Sequence, residues 1–295
     1  MIAVDWGTSS FRAYRLDAVG HVQDRRDAAA GILAVTHGVF ADTLRAQIGP
    51  WIAAGETQVL MSGMIGSRQG WREAPYVRTP AGADEIAGAM VSVPFDDGVQ
   101  VWIAPGVMHR TTEGFHDVMR GEETQIVGVL RTLGSGTHRV CLPGTHSKWV
   151  ELVDGRMVAF RTHMTGEVFA VLRAHSILGR TIPAQAPFDA DAFRAGVLRA
   201  REASGLLHHL FEVRAQFLAD ALTAETSADY LSGVLIGHEL AAERQAGPVH
   251  LLGAPALCDR YALACDTLGV PGIRLDPDAA VDGLVRLAQA RKLIA

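Results

Sequence analysis

A short turn that occurs twice constrains this chain more than any other feature. Gly7-Thr8-Ser9-Ser10, running into Phe11-Arg12 and a strand-like segment, returns 137 residues later as Gly144-Thr145-His146-Ser147, running into Lys148-Trp149 and another such segment. Each copy sits on the first turn of a predicted β-hairpin and opens one half of the 295-residue chain. A repeat of this kind, at a length that suits about two domains, predicts a duplicated architecture. The turn-forming stretch Gly134-Ser135-Gly136-Thr137 is the natural linker, which divides the chain into 1–136 and 137–295.

Between the turns, strand-like runs alternate with helical ones, the pattern of an α/β protein. The first half reads as a hairpin over 2–17 with a return near 21–27, a helix over 39–53, a buried strand over 58–64, another strand over 100–107 and a helix over 121–133. The second half opens with strands over 140–153 and 156–161, joined by Asp154-Gly155, a strong two-residue hairpin signal. A mostly helical stretch over 166–244 follows, then a strand over 249–252, a helix over 257–268, a strand over 273–275 and a closing helix over 279–289.

The repeated turn also carries chemistry. Glycine lets an anion approach the backbone closely, and a Gly-Thr-polar-Ser turn gathers several N–H groups and hydroxyls in a small space. Two such turns would grip a polyphosphate from both halves. Asp5, two residues ahead of Gly7, is placed to hold Mg²⁺, an ion that keeps most of its water and takes one or two carboxylates. Other nucleotide and metal signatures are missing: no Gly-x-x-x-x-Gly-Lys-Ser/Thr occurs, Arg139 stands where a dinucleotide fingerprint needs glycine, and Ala242 replaces the second histidine of a zincin helix begun by His238-Glu239.

Composition narrows the partners. A net charge of −5 with no cluster of like charge disfavours nucleic acid and anionic membrane surfaces. Three irregularly spaced cysteines suit a reducing, cytoplasmic compartment. The chain enters its first strand at once, without a signal stretch, and no window approaches the roughly eighteen apolar residues of a membrane span. Of 27 basic residues only Lys148 and Lys292 are lysines. A lysine in the second anion-binding turn, Lys148, suggests a point charge for a phosphate.

These residues carry a family resemblance. Asp5 to Arg12 resembles the first phosphate motif of the sugar-kinase, heat-shock-protein and actin superfamily, Gly144-Thr145-His146-Ser147-Lys148 its second, and the stretch holding Gly253-Ala254-Pro255 its adenosine motif. More narrowly, the segments 5–12, 63–71, 119–125, 142–149 and 163–167 resemble the bacterial 2-dehydro-3-deoxygalactonokinase family along most of the chain. The resemblance implies two duplicated actin-like, ribonuclease H-like α/β domains with an active-site cleft between them. It also implies ATP- and Mg²⁺-dependent phosphorylation of the 6-hydroxyl of 2-dehydro-3-deoxy-D-galactonate, in galactonate catabolism.

Roles follow from the resemblance residue by residue. The base that activates the attacking hydroxyl falls on Glu122 or Glu123, where the superfamily commonly has aspartate, with Asp117 as an outsider. Glu122 is favoured. Both phosphate turns, with Arg12 and Lys148, would bind the nucleotide. Arg68, Trp71, Arg72 and Tyr76 follow a buried strand, an expected position for substrate groups, and an Arg68 guanidinium matches the carboxylate of a sugar acid. Thr165 and Glu167 are carried over as substrate contacts by the resemblance alone. Partners are then a small sugar acid and ATP, with homodimerisation left open. Three alternatives remain: another substrate such as 2-keto-3-deoxygluconate, a phosphohydrolase of the same superfamily, and a sugar-sensing regulator. The last is disfavoured by the lack of room for a helix-turn-helix module.

Overall fold

The computed structural model describes residues 1–243 and 247–294 and divides into two compact units. The end of the predicted helical stretch, Arg244, lies outside the described residues. The first unit comprises residues 1–137, 150–160 and 276–295, the second 138–149 and 161–275.

In the first unit, β1 (Ile2–Trp6), β2 (Phe11–Leu16) and β3 (Val22–Ala28) form a meander. Helix α1 (Phe40–Ala53) crosses to β4 (Gln58–Ser62), which pairs parallel with β1. After β5 (Val77–Arg78), α2 (Ala83–Gly88) and β6 (Val91–Val93) comes β7 (Gln100–Ile103), completing a six-stranded sheet of order β3-β2-β1-β4-β7-β6. The core on one face is set by sequence spacing: Phe40, Leu44, Ile48 and Trp51 recur on one side of α1 and are all buried. Phe40 packs edge-on against Trp6, and Trp6 against Phe11 at 4.9 Å between ring centres.

The predicted strand over 100–107 is two strands in two sheets. β7 ends at Ile103, and β8 (Val107–Arg110) pairs instead with β5 and β9 (His116–Met119). Pro105, lacking an N–H, cannot continue the ladder. Gly106 then passes so close to Met119 that a Cβ there would lie 2.4 Å from the Met119 carbonyl. The strand predicted over 58–64 likewise stops at Ser62, because Gly63 turns the chain at φ 93°.

Helix α3 (Glu122–Leu133) packs on α9 (Ala279–Ala290), backbone to backbone. A Cβ on Gly128 would fall 1.9 Å from the Ala279 carbonyl, and one on Gly283 1.8 Å from that of Thr124. Through this contact the closing helix belongs to the first unit, so the compact units do not follow a single cut in the sequence.

The other sheet repeats the plan. β10 (Thr137–Leu142), β11 (Ser147–Val153) and β12 (Arg156–His163) are followed by β13 (Val249–Leu251) and β14 (Gly272–Arg274), in the order β12-β11-β10-β13-β14. Its β10, β13 and β14 pair in parallel as β1, β4 and β7 do. The Asp154-Gly155 turn forms as predicted, with φ 48° and 76°, both in the left-handed region. Between β12 and β13 lie α4 (Thr165–His175), α5 (Ala190–Arg199), α6 (Leu206–Leu218) and α7 (Ala224–Ala242), and α8 (Pro255–Thr267) joins β13 to β14. Cys141, Cys258 and Cys265 are free and buried in this unit's core.

Candidate active site

In the first unit, the turn between β1 and β2 is closed by the Gly7 N–H donating to the Ser10 carbonyl at 2.9 Å. It is braced from behind by Ile32 and Leu33, whose N–H groups donate to the Gly7 and Thr8 carbonyls. Thr8 and Ser9 stay exposed. Among the described residues nothing demands glycine at position 7: its φ is not positive, and a Cβ would meet Ser10 Oγ at an ordinary 3.4 Å. Space left open at such a turn is what a phosphate against the backbone requires.

Three elements meet beside this turn. Asp5 is the penultimate residue of β1, with Oδ2 3.4 Å from Arg12 Nη1. Gly63 follows β4, and a Cβ there would lie 3.4 Å from Asp5 Oδ1. Gly121, at φ 107°, ends the approach to α3, and its own Cβ would lie 3.3 Å from Gly63 Cα. Glycines at 63 and 121 thus let the start of α3 close on the end of β1. Burial raises the Asp5 carboxyl above its ordinary value, and Arg12 opposes that rise. A single carboxylate held loosely by one guanidinium suits Mg²⁺. Among the described residues, no cluster of three or more His, Cys, Asp or Glu side chains could hold a metal.

The paired acids at the start of α3 differ sharply. Glu123 is completely buried; one oxygen accepts from the Gly121 N–H at 2.7 Å and the other from Thr124 Oγ1 at 3.1 Å. Burial, then the neighbouring Glu122 charge, pushes its carboxyl up to about 8. Glu122 is half-buried and accepts from the Arg120 N–H at 3.0 Å. Of the two, only Glu122 is accessible to a substrate. Asp117 sits in β9.

The loop after β4 separates its four candidates. Arg68 has 84% of its side chain exposed and meets Glu73 at 3.2 Å. Trp71 packs edge-on against Phe95 at the core boundary. Arg72 donates to the Ser92 carbonyl at 2.6 Å. Tyr76 lies under the guanidinium of Arg120, 4.5 Å away. The sequence reading overlooked Arg120, which also holds the Ala74 carbonyl at 2.8 Å and so braces the loop.

In the second unit, the turn between β10 and β11 leaves Thr145 and His146 exposed, and a Cβ on Gly144 would have nothing nearer than 3.9 Å. As at Gly7, no protein contact calls for glycine. The start of α4 rests on this turn: Gly166 is so close that a Cβ would lie 2.4 Å from the Gly144 carbonyl, and the Glu167 N–H donates to the Thr145 carbonyl at 3.0 Å. His146 and Glu167 are hydrogen-bonded side chain to side chain. Ser147 and Lys148 belong to β11 rather than to the turn, and both are buried. Lys148 Nζ donates to Thr162 Oγ1 at 2.8 Å.

A cavity of about 680 Å³ opens on this turn, lined by Gly144, Thr145, Thr165 and Gly166 and continued by Phe169, Asp229, Leu257, Arg260 and Tyr261. Gly253-Ala254-Pro255 lie at the start of α8, whose Leu257, Arg260 and Tyr261 form one wall. Gly253 adopts φ 144°, and a Cβ there would come within 3.5 Å of the Pro143 carbonyl, just ahead of the turn. Arg173 holds the Pro183 and Ala184 carbonyls at 2.7 and 2.6 Å, fixing another wall. Phe169, Arg173, Asp229 and Arg260 carry no signal in the sequence, because only the packing of α4, α7 and α8 brings them to one cavity.

Residues 5–287 match the family model described as 2-keto-3-deoxy-galactonokinase. A 2-dehydro-3-deoxygalactonokinase of Escherichia coli (strain K12) is 37% identical over 280 residues, covering 92% of this chain and 92% of its own length. The crystal structure of a protein from Sinorhizobium meliloti is 40% identical and superposes with a TM-score of 0.91, covering 98% of each chain. At the level of the fold alone, the activator of the 2-hydroxyisocaproyl-CoA dehydratase from Clostridium difficile superposes with a TM-score of 0.51 at 11% identity, covering 99% of this chain and 96% of its own.

Proposed function

This chain belongs to the 2-keto-3-deoxy-galactonokinase family, and on that premise we propose that it transfers the γ-phosphoryl group of ATP to the 6-hydroxyl of 2-dehydro-3-deoxy-D-galactonate. Phosphoryl transfer needs positioning, charge neutralisation and a group to accept the hydroxyl proton. The observation that carries the reading is the second turn, whose Gly144 and Thr145 form the floor of a cavity of about 680 Å³, within the size range of nucleotide-type ligand sites. Adenosine occupies that cavity beside Gly253-Ala254-Pro255, and phosphates lie on the turn at Gly144, Thr145 and His146. Gly7, Thr8, Ser9 and Ser10, with Arg12, offer the first turn's N–H groups and hydroxyls to phosphate oxygens.

Asp5 would hold Mg²⁺, which neutralises phosphate charge when bound. Glu122 accepts the proton of the 6-hydroxyl; Glu123, sealed from solvent and held neutral, keeps the start of α3 in place by accepting from Gly121. Arg68, exposed and only loosely paired, reads the acid's carboxylate. A role for Lys148 runs through Thr162 and the strand it stabilises. The protein acts in the cytoplasm, and among the described residues no helix is long and apolar enough to cross a membrane.

The test is coupled ADP release with ATP, Mg²⁺ and a panel of sugar acids beside neutral sugars of equal length. The expected outcome is release far above the ATP-only rate with 2-dehydro-3-deoxy-D-galactonate and little with the neutral sugars. Equal release with and without every acid would make the protein a phosphohydrolase, and a higher rate with 2-keto-3-deoxygluconate would reassign the substrate.

A further inference from the structure

Glu239 lies within an apolar stretch of α7 and is 3% exposed. Its carboxyl accepts from three neutral donors on three different elements: Trp149 Nε1 at 2.7 Å on one oxygen, and the Tyr261 hydroxyl at 2.8 Å and Thr165 Oγ1 on the other. Tyr261 also meets Ser147 Oγ at 2.9 Å. Because the Tyr261 proton goes to Glu239, the Ser147 hydroxyl is the donor in that contact. A chain therefore runs from Ser147 through Tyr261 to Glu239.

Two of the groups around Glu239, Thr165 and Tyr261, line the cavity, and the other two, Ser147 and Trp149, lie close to the second turn along the chain. Ser147 follows the second turn directly, and Trp149 lies two residues further along β11. Thr165 opens α4, the helix whose Gly166 rests on Gly144, and Tyr261 lines the cavity. An apolar residue in place of Glu239 would leave several buried donors unsatisfied, and an amide could accept through only one of its two terminal atoms. A carboxyl is the side chain that accepts on both sides.

We propose that Glu239 is a positioning residue for the nucleotide: one buried carboxyl that fixes the second turn, the start of α4 and the cavity wall formed by Tyr261 relative to each other. The proposal rests on the kinase reading given above. Glu239 touches neither ATP nor the sugar acid; it acts by holding the groups that do, and hydrogen bonds in such a buried chain reinforce one another.

The measurement is the dissociation constant of ADP, by calorimetry on the full-length protein, with the KM of each substrate and the thermal midpoint alongside. Glu239→Gln should weaken ADP binding and raise KM for ATP by about tenfold or more, the scale of one unsatisfied buried donor, while KM for the sugar acid stays as in the wild type. Tyr261→Phe, which removes the hydroxyl bonded to both Ser147 and Glu239 but leaves the Trp149 and Thr165 bonds in place, should weaken ADP binding by a smaller factor. Wild-type ADP affinity in Glu239→Gln overturns the proposal. So does an equal rise in both KM values with a lowered midpoint, which marks general loosening. Should Glu239→Gln fail to fold, Tyr261→Phe decides, and wild-type ADP affinity in that variant overturns the proposal. Absence of ADP binding to the wild-type protein would instead sink the kinase reading itself.

Discussion

Two adjacent glutamates at the start of α3 differ in burial, one sealed and one accessible, and the proposed difference in their tasks is measurable. Glu122→Gln should lower kcat by roughly 10²–10⁴-fold, the range for loss of a general base, with ADP affinity nearly unchanged; Glu123→Gln should do less. Rates near wild type in both variants would leave the pair as a helix terminus and nothing more. Glu123 also makes a stability prediction. Its folded-state value of about 8 lies above the ordinary glutamate value of about 4.5, so between those limits the folded protein keeps a proton that the unfolded chain releases. Stability from this group is complete below about 4.5 and is lost as the pH rises toward 8, with a slope on the order of 1 kcal/mol per pH unit. Melting curves at pH 5 and pH 8 should therefore converge in Glu123→Gln relative to wild type, and parallel shifts in the two proteins would refute the assignment. At this scale the sequence was legible where chemistry is local. The Gly7 and Gly144 turns and the acids that open α3 announce themselves in a few consecutive residues. Glu239 does not, since its partners stand at positions 149, 165 and 261, and the one visible hint is an acid in an apolar helical run.

Elements were legible wherever the backbone itself carried the instruction. The Asp154-Gly155 turn needed two left-handed residues and had the pair best able to supply them, whereas the run over 100–107 looked continuous because the choice between two sheets is made by distant partners. Helix contacts are similarly hidden, yet they expose the closest backbone approaches. In α5 and α7, a Cβ on Gly196 would lie 2.2 Å from the Tyr230 carbonyl, and one on Gly233 2.1 Å from that of Phe193. Gly233→Ala has no flexible side chain to push aside, only backbone, so the two helices must separate. Overpacking of this kind costs about 1–3 kcal/mol or more. The thermal midpoint should fall by roughly 2–4 °C for each kcal/mol, and an unchanged midpoint would mean that the helices are not in that contact.

For the molecule as a whole, the repeated turn told more than any composition figure, because it announced two sheets built to one plan. What it could not announce is that the compact units ignore the midpoint of the sequence. The last helix seals the first unit: Gly283 presses on the Thr124 carbonyl, and α9 buries Val281, Leu284 and Leu287. Removing residues 276–295 should therefore open the first unit selectively. Limited proteolysis of the shortened chain should cut within 1–137 well before 161–275, and cleavage at the full-length rate in both regions would show that α9 is dispensable.

That seal imposes an order on how the protein comes into being. Leu133 ends α3 and Ala279 begins α9, a separation of 146 positions (279 − 133). At about 5–20 residues per second on a ribosome, the glycine-notched face of α3 waits roughly 7–30 s for the helix that covers it. During that interval the strands of the second sheet and helices α4 to α8 emerge, so the first unit to be synthesised is the last to be finished. A nascent chain of this protein carries the uncovered face of α3 until residues 279–290 have been made and are free to pack on it.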